Sequence, residues 1–156
     1  MNKKDLKYIE IGKLLCELSD DFKKGVSTLI VKDDNIISHG VNELPYGAEK
    51  TNERRTKPGK DFWMIHSERN AIYKASRSGI SLVGANMYCT YFPCSDCARA
   101  IIQSGIKTLY SPKPDFNHHK WGKTWIESET MLRECSVNII WTNEDIKKKI
   151  IKNFVL

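Results

Sequence analysis

From residue 68 onward the sequence alternates between helix-period and strand-period segments. That alternation restricts the chain to architectures in which helices pack on the faces of one sheet. Glu68–Ser78 reads as a helix that stops at Gly79, Ala85–Tyr91 as a strand, and Ala98–Ser104 as a helix closed by Gly105. Lys107–Tyr110 is a short strand, Trp125–Glu134 a helix and Val137–Trp141 a strand, and Asn143 caps a last helix through Phe154. Upstream, Leu6, Ile9, Leu14, Leu15 and Leu18 mark an amphipathic helix over Asp5–Leu18. Thr28–Val31 and Ile36–Val41 are β-rich runs joined as a hairpin by Lys32-Asp33-Asp34-Asn35. A hairpin followed by crossover units predicts an α/β layered fold.

Between hairpin and alternation, Pro45–Lys60 is rich in Gly, Pro, Thr, Asn and charge, and reads as a long loop of the kind that often carries function. The 156 residues contain no repeat and no dividing linker, so residues 1–156 are expected to form one domain. With 40% apolar and 28% charged residues, global disorder is excluded. Lys and Arg number 25 against 19 Asp and Glu, a net charge of +6 that favours anionic partners, either phosphorylated small molecules or nucleic acid. Five cysteines rule out a complete disulfide framework. No signal-peptide pattern opens the chain, and no run approaches the roughly 18 apolar residues of a membrane span. The expected location is cytoplasmic, where clustered thiols stay reduced and hold metal.

Two short segments carry chemistry. His66-Ser67-Glu68 and Pro93-Cys94-Ser95-Asp96-Cys97 each open a predicted helix. One imidazole and two thiols suit a catalytic zinc, which takes three protein ligands and keeps a fourth position open. Cys94 and Cys97, three apart in a first turn, present both sulfurs to one side, where the free N–H groups of the helix start favour thiolates. Pro93 suits the beginning of such a turn because its missing N–H has no intrahelical partner. Glu68, two residues past a ligand, is placed to take a proton from an activated water and deliver it elsewhere. This set equips attack on an sp² carbon with departure of ammonia. Taken singly, the CxxC also reads as a redox pair or a structural half-site, and the HxE as a helix start with a surface carboxylate. Together, in this order, they match the H-x-E…P-C-x-x-C signature of zinc deaminases. A four-ligand structural site lacks its fourth member, since Cys89 falls inside the strand at 85–91.

At these residues the chain resembles the cytidine/deoxycytidylate deaminase superfamily, most of all its deoxycytidylate branch. Gly40-Val41-Asn42-Glu43-Leu44-Pro45-Tyr46-Gly47, His66-Ser67-Glu68-Arg69-Asn70-Ala71-Ile72 and Ala98–Ile106 are all similar to segments of that branch, and the likeness runs from Thr28 to Trp141. It implies a three-layer fold with a central mixed sheet of about five strands flanked by helices. It also implies Zn2+ held by His66, Cys94 and Cys97, Glu68 as proton shuttle, and Asn42 in contact with substrate near its sugar or ring. Ser67 stands where Ala is usual and is expected against the base; Glu43 replaces a Gly near the sugar.

Lys50, Arg54, Arg55, Lys57 and Lys60 fall just before His66 and fit a nucleotide phosphate, with Arg54 and Arg55 offering bidentate forks. Lys147, Lys148, Lys149 and Lys152 read as a solvated helix face, and His118 and His119 as surface residues. Trp63, Trp121 and Trp125 read as packing or subunit contacts, the last two as exposed aromatics suited to an interface. Cys16, Cys89 and Cys135 are left as packing thiols.

The reaction implied is hydrolytic deamination of a free pyrimidine deoxynucleotide, dCMP to dUMP plus ammonia, by a homo-oligomer of two to six chains with no membrane partner. Three alternatives stand beside it. One is action on a base in RNA, as in the tRNA-adenosine deaminases, using the positive charge to hold phosphates. Another is action on a different free base or nucleoside. The third is a catalytically silent zinc-stabilised module that binds a nucleotide, against which Glu68 argues, since a structural site needs no carboxylate there.

Overall fold

Asn2 and Asp5 cap the first helix reciprocally: the Asn2 side chain accepts from the Asp5 N–H at 2.9 Å, and the Asp5 carboxylate accepts from the Asn2 N–H at 2.8 Å. The computed structural model describes residues 1–142, so the expected terminal helix at 143–154 and its lysines lie outside the described residues. Helix α1 covers Lys3–Leu15 and is followed by one 3₁₀ turn, Cys16–Leu18. Strand β1 (Ser27–Lys32) turns into β2 (Asn35–Val41) through Asp33 and Asp34, whose φ values of 48° and 61° are those of a two-residue type I′ turn. Short polar side chains tolerate that backbone.

The stretch expected to be a structureless loop contains two short helices, α2 (Asn52–Arg55) and α3 (Lys60–Trp63). Thr51 starts α2 by accepting from the Arg54 N–H, and backbone bonds from Asp61 and Phe62 to Pro58 and Gly59 start α3. Beyond them come α4 (Ser67–Arg77), β3 (Asn86–Cys89), α5 (Ser95–Gln103), β4 (Thr108–Pro112), α6 (Gly122–Glu134) and β5 (Asn138–Thr142). Both α5 and α6 begin one turn earlier than apolar spacing alone suggests, because their first turns are polar. Gly79 and Gly105 follow α4 and α5 with φ of 67° and 77°, the left-handed backbone that ends a helix.

The sheet order is β2-β1-β3-β4-β5, with β1 antiparallel to β2 and β3, and β3, β4 and β5 parallel. Period-two alternation divides the core. Leu29, Val31, Tyr88 and Tyr110 face α1, where they bury Ile9. Ile30, Met87, Leu109 and Ile139 face the other layer with Ile101 and Leu132 from α5 and α6. The result is three layers, α1 on one face and α4, α5 and α6 on the other, as the resemblance implied.

Gly40 sets how closely α4 lies on β2. A Cβ there would collide with the backbone of Ser67 and Ala71, so only glycine lets the first turn of α4 cross the strand at this distance. Trp125 does not fit the expected role of exposed interface aromatic: it is 3% exposed, stacked with Trp121 and edge-on to Tyr91. Among the described residues the most exposed aromatic side chains are instead Tyr46 and Phe62, in the 44–64 region.

Candidate active site

Backbone contacts bring Asn42 and His66 together. Glu43 and Ile65 exchange N–H···O bonds of 3.2 and 2.9 Å, so the 44–64 excursion leaves and returns at one point. The Asn42 side-chain oxygen accepts from the Ser67 N–H at 2.9 Å, satisfying one of the otherwise unpaired donors at the start of α4. His66 is the N-cap residue of α4 and Cys94 that of α5, both in extended backbone, and Cys97 lies in the first turn of α5. Pro93 sits just before the cap of α5, buried, at the entry to that first turn.

The two helix starts converge. His66 Nδ1 lies 3.5 Å from Cys94 Sγ and 3.6 Å from Cys97 Sγ, and the three donor atoms fall within 4.8 Å of one another. In a tetrahedral zinc site with Zn–N near 2.0 Å and Zn–S near 2.3 Å, nitrogen and sulfur ligands stand about 3.5 Å apart. The spacing, the soft donor set and the burial therefore fit zinc. Proton sharing between the thiols agrees: the hydrogen bond from Cys97, opposed by burial and helped by His66, pulls Cys94 down to about 4. The same bond, with burial, holds the Cys97 proton in place. A divalent cation bound at these donors would take the place of the proton that the two thiols share.

Glu68 is 4% exposed. Burial pushes its carboxyl above the ordinary range, and the neighbouring Cys94 adds to this while His66 and the Ser67 hydroxyl oppose it. Asn42, His66, Glu68 and Cys94 line a cavity of about 550 Å³, a volume suited to a small-molecule ligand. Tyr91 and Trp121 supply flat walls, and Lys24, Lys57, Lys60 and Lys120 bring positive charge to the same cavity.

Asn42 thus reaches the cavity, as expected. Ser67 does not: it is fully buried, and its hydroxyl turns to Thr28 at 2.8 Å and to Glu68 at 3.2 Å. Arg54 and Arg55 are also absent from the cavity lining. Arg54 lies over the Trp63 ring and donates to the Glu49 carbonyl, while Arg55 pairs with Asp20 at 3.0 Å and covers Phe22. Lys50 pairs with the same Asp20, and Lys60 with Asp21 at 2.7 Å, so most of the basic run braces the 44–64 region against the segment after α1. Glu43 likewise turns from the cavity to accept from Asn70 and Lys74, both at 2.9 Å. His118, expected at the surface, lines the cavity and accepts from the Lys120 and Trp121 N–H groups. Lys24, held 3.3 Å above the Tyr91 ring, and Lys120 carried no motif that could single them out.

Known proteins resemble this chain in sequence and fold. A family model described as the cytidine and deoxycytidylate deaminase zinc-binding region matches residues 2–112. The chain belongs to this deaminase family. An uncharacterized deaminase from Aliivibrio fischeri is 32% identical over 144 residues, covering 91% of this chain and 95% of its own. The deoxycytidylate deaminase of Enterobacteria phage T2 is 55% identical over 76 residues, 48% of this chain and 37% of that enzyme. The chain therefore spans well under half of that phage relative. In fold, the family likeness extends to the dCMP deaminase of cyanophage S-TIM5, solved with dCMP and dUMP, at a TM-score of 0.74 and 24% identity over 91% of this chain and 99% of that one. The mixed five-stranded sheet is that of the family. Among the described residues, no helix is long and apolar enough to cross a membrane.

Proposed function

We propose that the chain converts dCMP and water to dUMP and ammonia, with zinc held by His66, Cys94 and Cys97 and with Glu68 as the proton carrier. The observation that carries this reading is the convergence of the three donors and a buried carboxylate on one nucleotide-sized cavity. The local identity to the phage T2 deoxycytidylate deaminase supports the choice of base and sugar.

Zinc held by His66, Cys94 and Cys97 would supply a water activated as a nucleophile at neutral pH. Glu68 accepts the proton that the water gives up as its oxygen bonds to C4 of the cytosine ring, and delivers that proton to N3. The same carboxylate then takes the remaining hydroxyl proton and hands it to the 4-amino group. The C4–N bond breaks, ammonia leaves, and C4=O forms with N3 protonated, which balances the hydrolysis. Burial equips Glu68 for both halves, since a more basic carboxylate takes and keeps a proton more readily near neutral pH. The Asn42 amide contacts the substrate at the cavity wall, and Lys57, Lys60 and Lys120 supply charge for the 5′-phosphate; of the basic run read for this role in the sequence, Lys57 and Lys60 line the cavity and Lys50, Arg54 and Arg55 do not.

Residues 1–156 are read as one deaminase unit acting in the cytoplasm on free nucleotide. The exposed Tyr46 and Phe62 support assembly of copies into a homo-oligomer, which sedimentation at increasing protein concentration tests.

Ammonia release with loss of cytosine absorbance, measured for dCMP, CMP, dCTP, deoxycytidine, cytosine, guanine and adenosine-containing RNA, tests the substrate. Turnover is expected with dCMP. Glu68→Gln is expected to lower it by about 10²–10⁴-fold with bound zinc unchanged. Turnover of another base, with none of dCMP, overturns the substrate and leaves the chemistry standing.

A further inference from the structure

The layer beneath Glu68 contains two polar side chains with no access to water. Ser67 opens α4 and Thr28 lies in β1, and both are 0% exposed. Ser67 Oγ stands 3.2 Å from Glu68 Oε2 and 2.8 Å from Thr28 Oγ1, which in turn stands 3.4 Å from Cys89 Sγ in β3. Each hydroxyl and each thiol has one proton to donate, whereas an ionised carboxylate only accepts. Ser67 therefore gives its proton to Glu68 and accepts from Thr28, and Thr28 accepts from the Cys89 thiol. The string has one direction, from the sheet to the carboxylate. Its burial strengthens each bond and makes an unpaired member costly.

We propose that Ser67 and Thr28 are positioning residues: the string Cys89–Thr28–Ser67 holds one Glu68 oxygen from the core side and so fixes the carboxylate's orientation toward the cavity. This rests on the reading of Glu68 as proton carrier. Alanine at position 67 has no hydroxyl with which to build the string. The residue that departs from the resembled family is thus the link between the sheet and the carboxylate.

The test compares wild type with S67A, T28V, T28S and the S67A/T28V double variant in kcat and KM for dCMP, zinc content and Tm. S67A is expected to lower kcat about tenfold, the scale of one hydrogen bond to a charged group, with KM and zinc content unchanged. T28V is expected to lower kcat about threefold in wild type and to add nothing in the S67A background, because the string is already cut. T28S, which keeps the hydroxyl, recovers the wild-type rate. Equal kcat in wild type and S67A overturns the proposal, as does a T28V loss of the same size in both backgrounds. Crystal structures of wild type and S67A give a reading independent of turnover: Glu68 is expected to leave its wild-type rotamer in S67A. An unchanged Glu68 rotamer contradicts the proposal even if the wild-type protein acts on a different base, and absence of turnover on every base defeats only the functional reading.

Discussion

Asn42 serves two partners with one amide. Its oxygen accepts from the Ser67 N–H, a cap on α4, while the residue also lines the cavity beside Glu68. The two duties separate by substitution. Asn42→Asp keeps the acceptor and loses the amide donor, so Tm is expected to hold while KM for dCMP rises about tenfold. Asn42→Ala loses both, and Tm is expected to drop by the equivalent of about 1 kcal/mol as well. Thermal melts with steady-state kinetics on both variants decide the matter, and an unchanged KM in Asn42→Asp removes Asn42 from the substrate. The candidate metal donors and Glu68 were legible in the sequence because, within each helix start, their relation is local. His66 with Glu68, two residues apart, and Cys94 with Cys97, three apart, each share one helix start and present their side chains together whatever the rest of the chain does. The partners of Arg54 and Arg55 were not legible: Asp20 lies 35 residues before Arg55, and no local pattern records that contact. Nor does spacing say that Ser67 points to the sheet, since that depends on where Gly40 allows α4 to sit.

At the scale of elements, the 44–64 region is held to the body of the protein by carboxylates. Burial works to raise the carboxyls of Asp20, Asp21 and Glu43, but it is outweighed in each case, by Lys50 and Arg55 at Asp20, by Lys60 at Asp21, and by Asn70 and Lys74 at Glu43. All three are held below the ordinary carboxylate range. Their contribution to stability is therefore complete above the unfolded values near 4 and is lost as pH falls through them toward the lowered folded values. Tm followed from pH 7 to about pH 3 is expected to fall in wild type and to fall less steeply in Asp20→Asn. That variant starts about 1–3 kcal/mol less stable at pH 7, because Arg55 and the Leu44 N–H lose a charged acceptor. An identical acid slope in the two proteins contradicts this role for Asp20. Gly40→Ala addresses the contact between α4 and β2. Its methyl group must push α4 off the strand, and a loss of about 1–3 kcal/mol with weaker zinc binding is expected in chemical denaturation and competition with a chelator. A neutral Gly40→Ala would show that α4 is placed by other contacts.

For the whole molecule, alternation of strands and helices specified the layers but not their occupants. Period two in β1 sends Leu29 and Val31 to one face and Ile30 to the other, yet nothing local says that, among the described residues, α1 packs on the first face and α4, α5 and α6 on the second. The net charge shows the same division between what composition records and what folding decides. Of the positive charge just before His66, Lys50 and Arg55 are matched by Asp20 away from the cavity, whereas Lys57 and Lys60, paired with Asp61 and Asp21, line it together with Lys24 and Lys120 from other segments. A short concave site with scattered lysines suits one phosphorylated small molecule better than an extended strand, whose binding calls for a continuous basic surface. The layers, the glycine crossing and the two helix starts all serve one end, which is to bring three soft donors and a buried carboxylate to one point. The most direct test is a zinc titration of metal-stripped protein with ammonia release from dCMP read at each addition. Turnover is expected to rise in proportion to bound metal and to saturate at about one zinc per chain, with no such rise in His66→Ala. Turnover that is independent of zinc, or one bound zinc per chain with no turnover of dCMP, would contradict a zinc-dependent dCMP deaminase.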